Sequence, residues 1–380
     1  MNCLLSIIIP TKDRHETLFP VVEYLSEISC PDLEIVIQDN SLSNEKAIQF
    51  LEELKNPKVK YFYSGKNLSV IENSDLAVGN AKGKFICFIG DDDGVMPYII
   101  DVVKWMDLNK IDAVRGVKPF YTWPGLKSSF LEKDESGILK YSKFANSSIQ
   151  INPSKVLNQV LKKGGTDMLL LPCLYHGIVS KEILGEIHRK TNSYFPGPSP
   201  DMANAVALSF YVSKYYYLNI PVVVSGKCIA STGGQGVLHK HVAKIEDVAH
   251  LPANTAANWP DEIPKYWTGP TIWAASLVDA LKRMGYSTRI KDINFTYLYA
   301  KLFVYNFSHR SQIFKDFKAK NNTIEFSLIC MFLFLKRSFL IGKRKSGLNK
   351  DSKVTNIKCI REAIQILDKE VRLKKLFFEF

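Results

Sequence analysis

Three consecutive carboxylates, Asp91, Asp92 and Asp93, follow the apolar stretch 85–89 and a glycine, and they carry the most evident chemistry in the chain. Adjacent carboxylates repel one another, so the triplet is costly unless a cation or strong donors compensate. Hard divalent cations such as Mg²⁺ take oxygen ligands, often one or two carboxylates together with phosphate oxygens of a substrate. A solvated turn rich in Asp and Gly is the plain alternative. Asp39 closes a second apolar stretch, LEIVIQD (33–39). A carboxylate there can accept hydrogen bonds from a nucleotide base or ribose, or it can cap the helix that follows. Asp201 lies in FPGPSPDMANAVALSF (195–210), after a proline and before an apolar helical pattern, an ordinary place for a capping residue. His239 and His241 come after a glycine-rich stretch. Imidazole is a common metal ligand, and an exposed loop histidine is the plain alternative.

The elements that must position these residues alternate. Residues 4–9 form a continuous β-branched run ending at Pro10, as a buried parallel strand does. Helical spacing over 15–29, a strand over 33–38, a helix over 44–55, a strand over 58–63, a helix over 68–81 and a strand over 85–89 follow. Strands alternating with helices of this length predict βαβ units and a parallel sheet covered on both faces. Ligands of such sheets lie beyond the carboxyl ends of the strands. There the segments 11–14, 39–41, 64–67 and 90–93 should meet along one edge. Beyond them, 111–230 mixes short strands and loops with helices over 181–189 and 201–213 and a strand over 222–225. The polar stretch 231–241 has the composition of a mobile loop, and the chain turns helical from 270.

Four pieces in order, SIIIPTKDR (6–14), IVIQDNS (35–41), Gly65-x-Asn67 and AKGKFICFIGDDDGVMP (81–97), resemble the nucleotide-sugar half of family-2 inverting glycosyltransferases. The likeness is close over 1–100 and loose over 165–240. It implies an α/β GT-A fold, a Rossmann-like nucleotide-diphospho-sugar transferase domain over 1–245. That domain divides into a donor half (1–110) and an acceptor half (111–245), and a mainly helical region follows over 246–380. By the same resemblance Pro10, Thr11 and Asp39 hold the nucleotide, with Asp13, Arg14, Asn73 and Asp91 on the donor side. Asp92 takes the metal, Mn²⁺ or Mg²⁺, with Asp93 and the late His239. Asp201 matches the acidic residue that serves as general base at a helix start, with Asp167 as the fallback, and Tyr175 and His176 face the acceptor. Trp123, Tyr121 and Trp267 could stack on sugar rings, although aromatics more commonly pack cores. The sequence departs from the family pattern at Gly90, where an aspartate is usual, and at Glu72-Asn73, where Arg-Asn is usual.

Over the 380 residues, 50 Lys and Arg stand against 38 Asp and Glu, and the excess is concentrated: residues 301–380 hold 18 basic and 7 acidic side chains. Alternating aromatic and basic residues there suit an interfacial helix on an anionic membrane, or a helical subdomain packed on the core or on a second copy. No nucleic-acid motif accompanies the charge. The apolar face expected along 355–378 must pack on something, a partner chain included. Seven scattered cysteines without C-x-x-C spacing argue against disulfides or a zinc site and fit a reducing, cytoplasmic setting. The run LLSIII is too short for a signal peptide, and the apolar run 326–335 is about half the ~20 residues a membrane span needs. A hydrophobic share of 46% excludes disorder. The expectation is therefore a metal-dependent inverting glycosyltransferase, cytoplasmic or peripheral on the membrane. It would act on a nucleotide-sugar donor and a glycan or lipid-linked acceptor in surface polysaccharide synthesis. Nucleotidyl transfer at Asp91–Asp93 and an inactive sugar-nucleotide-binding module are the alternatives.

Overall fold

The computed structural model describes residues 3–126, 136–231, 243–248, 250–306, 310–318, 323–346 and 351–373. The chain opens with β1 (Leu5–Thr11), α1 (His15–Ser26), β2 (Leu33–Asp39), α2 (Glu45–Leu54), β3 (Val59–Tyr63), α3 (Val70–Asn80) and β4 (Phe85–Phe88). These four strands are parallel and lie in the order β3-β2-β1-β4, as the alternation of runs predicts. β1 and β2 are buried along almost their whole length, as strands covered on both faces must be. Register brings the strand ends level: Thr11 pairs with Asp39, and Asp39 with Tyr63. α3 begins with a capping box in which Ser69 and Glu72 exchange hydrogen bonds. The Glu72 that departs from the family pattern is thus committed to holding its own helix start.

There follow β5 (Gly94–Val95), α4 (Ile99–Leu108), β6 (Ala113–Val117), β7 (Phe120–Thr122), β8 (Ile138–Tyr141), β9 (Ser148–Ile151), α5 (Pro153–Lys162), β10 (Gly177–Ser180), α6 (Lys181–Thr191), α7 (Pro200–Tyr211), β11 (Tyr215–Pro221) and β12 (Val223–Lys227). β10, β6, β11 and β9 extend the first sheet to eight strands. The parallel pairing expected for the first four strands ends at β4, because β10, from a stretch to which the sequence assigns no direction, runs antiparallel to both β4 and β6. The cause is local. His176 adopts a left-handed backbone (φ 62°), and its N–H bonds to the Phe88 carbonyl at 2.9 Å, which turns the chain back along β4.

The chain continues with α8 (Gly269–Arg283), α9 (Phe295–Tyr305), α10 (Arg310–Lys318), α11 (Thr323–Lys345), β13 (Ser352–Val354) and α12 (Ile360–Leu373). Helices α8 to α11 share a core with α5 and α7, built around residues such as Leu277, Leu298, Phe317 and Leu333. The end of the chain then returns to the first body. β13 joins a second sheet of order β13-β8-β7-β12-β5, and α12 packs on α1 and β5. The face of α12 expected to seek a partner is therefore filled within the chain, by the core that contains Ile360, Ile364 and Leu367. Gly94 gives α12 its room, since a Cβ there would stand 2.7 Å from Ile364. All seven cysteines are free thiols. Among the described residues no helix is long and apolar enough to cross a membrane.

Candidate active site

The carboxyl ends of β1, β2 and β4 form a continuous polar edge. Thr11 Oγ1 donates to Asp91 Oδ2 at 2.6 Å, and Arg14 Nη2 lies 3.0 Å from Asp91 Oδ1. Asp39 is fully buried and accepts from Tyr61 Oη at 2.8 Å and the Ser41 N–H at 2.8 Å, with His15 Nε2 at 3.0 Å. Asn73 Nδ2 ties the edge together by donating to the Thr11 carbonyl at 3.3 Å. Its Oδ1 is buried without a hydrogen-bond partner. Asp13 has a left-handed backbone (φ 54°), accepts the Leu42 N–H at 2.9 Å, and donates its own N–H to Ser41 Oγ at 2.7 Å. Pro10 pairs in register with Gln38 behind them.

The three carboxylates of the triplet are all buried but are held differently. Burial pushes Asp91 up to about 7; Arg14 and Thr11 pull against that rise and Asp92 adds to it. The Arg14 guanidinium, which burial alone would weaken, is kept charged by Asp91 and Asp92. Asp92 accepts the Cys228 N–H at 3.1 Å, and it is raised first by burial and then by the charge of Asp93. Asp93 is surrounded by donors: the Gly90 N–H at 2.7 Å, the Gly226 N–H at 2.7 Å, His176 Nε2 at 2.6 Å and Tyr175 Oη at 3.3 Å. Burial would raise Asp93, but His176 and the two backbone donors more than offset it and hold it below the usual carboxylate range. β12 supplies the tight approach: a Cβ on Gly226 would stand 1.7 Å from the Asp92 carbonyl oxygen, which also accepts from Trp123 Nε1 at 2.7 Å. The glycine at position 90 has the same kind of reason, since a Cβ there would meet both Asp93 Oδ2 and Tyr175 Oη within 3.2 Å.

His176 lies between Asp93 and Lys118, whose Nζ is 3.3 Å from His176 Nδ1. Burial first lowers the imidazole pKa. A neutral ring that accepts from Lys118 at Nδ1 and donates to Asp93 through Nε2 satisfies all three groups. Lys118 is itself held below its usual value, first by burial and then by Arg115.

Asp201 occupies the first turn of α7 and is half-buried. Oδ1 accepts the Met202 N–H at 2.8 Å and the Ser199 hydroxyl, and Oδ2 accepts Trp273 Nε1 from α8 at 3.0 Å. The charges of Asp93, Asp92 and Asp201 all act on the Tyr175 hydroxyl, which burial raises well above its usual value. Asp167 is exposed and accepts the Leu169 N–H at 2.9 Å, a turn contact. Tyr121, Trp123 and Trp267 are buried in the cores rather than presented to a ligand. The sugar-stacking expectation for them is corrected by packing. His239 and His241 and most of the glycine-rich stretch lie outside the described residues. Sequence reasoning missed His15, Tyr61, Lys118 and Trp273, each of which acts through a partner distant in sequence.

The site's donor set suits a hard cation. Asp91 Oδ1 is buried and, with the Arg14 guanidinium 3.0 Å away, accepts no well-aligned hydrogen bond, and burial and Asp93 both oppose the charge of Asp92. No group of three His, Cys, Asp or Glu side chains among the described residues makes a ready-made cage.

With this geometry in view, residues 6–158 match the sequence model of the family described as "Glycosyl transferase family 2", so the resemblance read from the four motifs is found over that segment. The architecture is α/β with a helical C-terminal region. Among solved structures, S. aureus TarS 1-349 in complex with UDP-GlcNAc aligns at 16% identity and a TM-score of 0.44, covering 59% of this chain and 58% of that one. The same TarS fragment in complex with UDP aligns at 14% identity and a TM-score of 0.42, covering 60% and 61%. The chain thus spans less than two thirds of the relatives it is similar to. No curated protein matches it.

Proposed function

We propose that the chain is an inverting glycosyltransferase that moves a sugar from a nucleoside-diphosphate donor to a hydroxyl of a glycan, in the synthesis of a bacterial surface polysaccharide. The observation that supports this reading is the buried polar edge at the strand ends: Asp91 is tied to Thr11 and Arg14, Asp92 and Asp93 follow it in the same buried loop, and Asp39 is fully buried among Tyr61, His15 and Ser41.

In this reading Asp39, fixed by Tyr61, His15 and Ser41, receives donors from the nucleoside. Arg14, kept charged by Asp91, faces the diphosphate. Asp92 with Asp91 would hold Mn²⁺ or Mg²⁺, which when bound offsets the negative charge of the leaving diphosphate. Asp93, with four donors already, anchors the loop, and Tyr175 and His176 serve that anchor rather than the acceptor. Asp201 Oδ2 has a single donor, Trp273, which leaves a lone pair for the acceptor hydroxyl. The hydroxyl oxygen forms its bond to the anomeric carbon as the carbon–oxygen bond to the diphosphate breaks on the opposite side. Asp201 takes the hydroxyl proton.

The test is incubation with uridine, guanosine and thymidine diphosphate sugars, with Mn²⁺ or with a chelator, in the presence of bacterial glycans. Metal-dependent release of nucleoside diphosphate with sugar transferred is the expected result. Release of pyrophosphate with nucleoside monophosphate incorporated into a polymer would replace this reading by nucleotidyl transfer.

A further inference from the structure

α11 is apolar on two opposite sides. Phe326, Cys330 and Leu333 are buried in the core it shares with α9 and α10. Facing away from them, Leu328 (58% exposed), Met331 (57%), Phe332 (57%), Leu335 (65%) and Phe339 (70%) stand in solvent. At 3.6 residues per turn these five fall within an arc of roughly 100°, a continuous stripe rather than scattered side chains. Exposed Lys336 and Lys343, seven residues apart, border its edge. The helix carries five basic residues, all in its C-terminal half, against the single acid Glu325, which already accepts from Asn294 Nδ2 at 3.0 Å.

We propose that this stripe of α11 docks on the surface of an anionic lipid bilayer, with Leu335 and Phe339 at its centre. Charge selects this occupant over a second copy of the chain. Pairing two such stripes would bring basic halves together or set them against a partner half with no free acid, and like charges facing one another oppose association. A bilayer with acidic headgroups supplies both apolar depth and negative charge. The helix cannot insert further, because its other side is part of the protein core. It lies flat, immersed by about the 5–10 Å typical of interfacial helices. The inference deepens the proposed reaction by placing its acceptor on a lipid. Vesicle binding needs no turnover, so either idea can fail without the other.

The experiment is co-sedimentation of the full chain with phosphatidylcholine vesicles, with and without phosphatidylglycerol. It is repeated for a Leu335→Ser/Phe339→Ser double variant and for Lys336→Glu/Lys343→Glu. All four positions are exposed, so folding is checked simply by unchanged thermal melting. The wild-type chain is expected to pellet with the anionic vesicles, and each double variant to lose about tenfold or more of that binding. Donor turnover on a soluble acceptor should be unchanged in both variants. Wild-type chain that stays in the supernatant, or variants that pellet as well as wild type, would overturn the proposal. So would a variant that changes only from dimer to monomer in light scattering, which would make the stripe a contact between copies.

Discussion

Replacing His176 by asparagine should weaken the protein most at neutral pH and flatten its response to acid. Asparagine tolerates the left-handed backbone that His176 adopts (φ 62°), so the turn into β10 survives. Its shorter side chain gives up the 2.6 Å contact with Asp93. A charge-assisted hydrogen bond of this kind contributes about 1.5–3 kcal/mol. The pH term has a definite sign. Burial lowers the pKa of His176, so the unfolded chain binds a proton that the native chain refuses, and this residue makes stability fall as pH falls. Between about pH 7.5 and 5.5 an unfolded imidazole titrating near 6.5 gains about 1.4 kcal/mol, which is the upper bound on the stability lost through a native ring whose pKa is lowered. The asparagine variant lacks this loss. Asp93 is shifted the other way. Its depressed pKa gives stability above the unfolded carboxylate range that is lost only as pH falls through the folded value, well below this window. Urea unfolding of both proteins at the two pH values, in chelator, reads the difference directly. The variant should be less stable by about 2 kcal/mol at the higher pH, with the gap narrowing by up to about 1.4 kcal/mol at the lower one. An identical gap at both values would refute a neutral, buried His176, and no gap at either would remove it as the anchor of Asp93.

Two further substitutions probe how the acidic loop is shaped. Gly226→Ala places a methyl group 1.7 Å from the Asp92 carbonyl oxygen, so β12 must move. It should cost about 2 kcal/mol or more and abolish metal-dependent donor binding in calorimetry; a variant that binds donor normally would show that the close approach is dispensable. Ile364→Ala in α12 opens a cavity against Gly94, at about 2–4 kcal/mol. Its thermal midpoint should fall together with donor affinity, and a stability loss with donor affinity unchanged would separate α12 from the site.

The donor half of the fold was legible because its strands are continuous β-branched runs with polar ends, as in 4–9 followed by Thr11 and 33–38 followed by Asp39. The position of the acidic cluster followed from the same pattern. What the sequence hid depends on contacts between distant residues. The reversal at β10 rests on a histidine in a left-handed conformation, and nothing in its type announces that. The periodic apolar face of α12 was visible, but its seat on α1 and β5 lies more than 250 residues away in the chain. His15 and Tyr61 reach Asp39 only once β1, β2 and β3 are in register, and Trp273 reaches Asp201 only through the packing of α8 on α7. Tyr121, Trp123 and Trp267 carried apolar surface to bury, and the cores took them.

Transfer by the Asp201→Asn variant tests the proposed reaction most directly. The amide keeps the size of the side chain but cannot take a proton from an acceptor hydroxyl. Donor and Mn²⁺ should bind as in the wild-type chain, while transfer falls by about 10²–10⁴. Transfer at the wild-type rate, with donor bound equally well, would contradict the account.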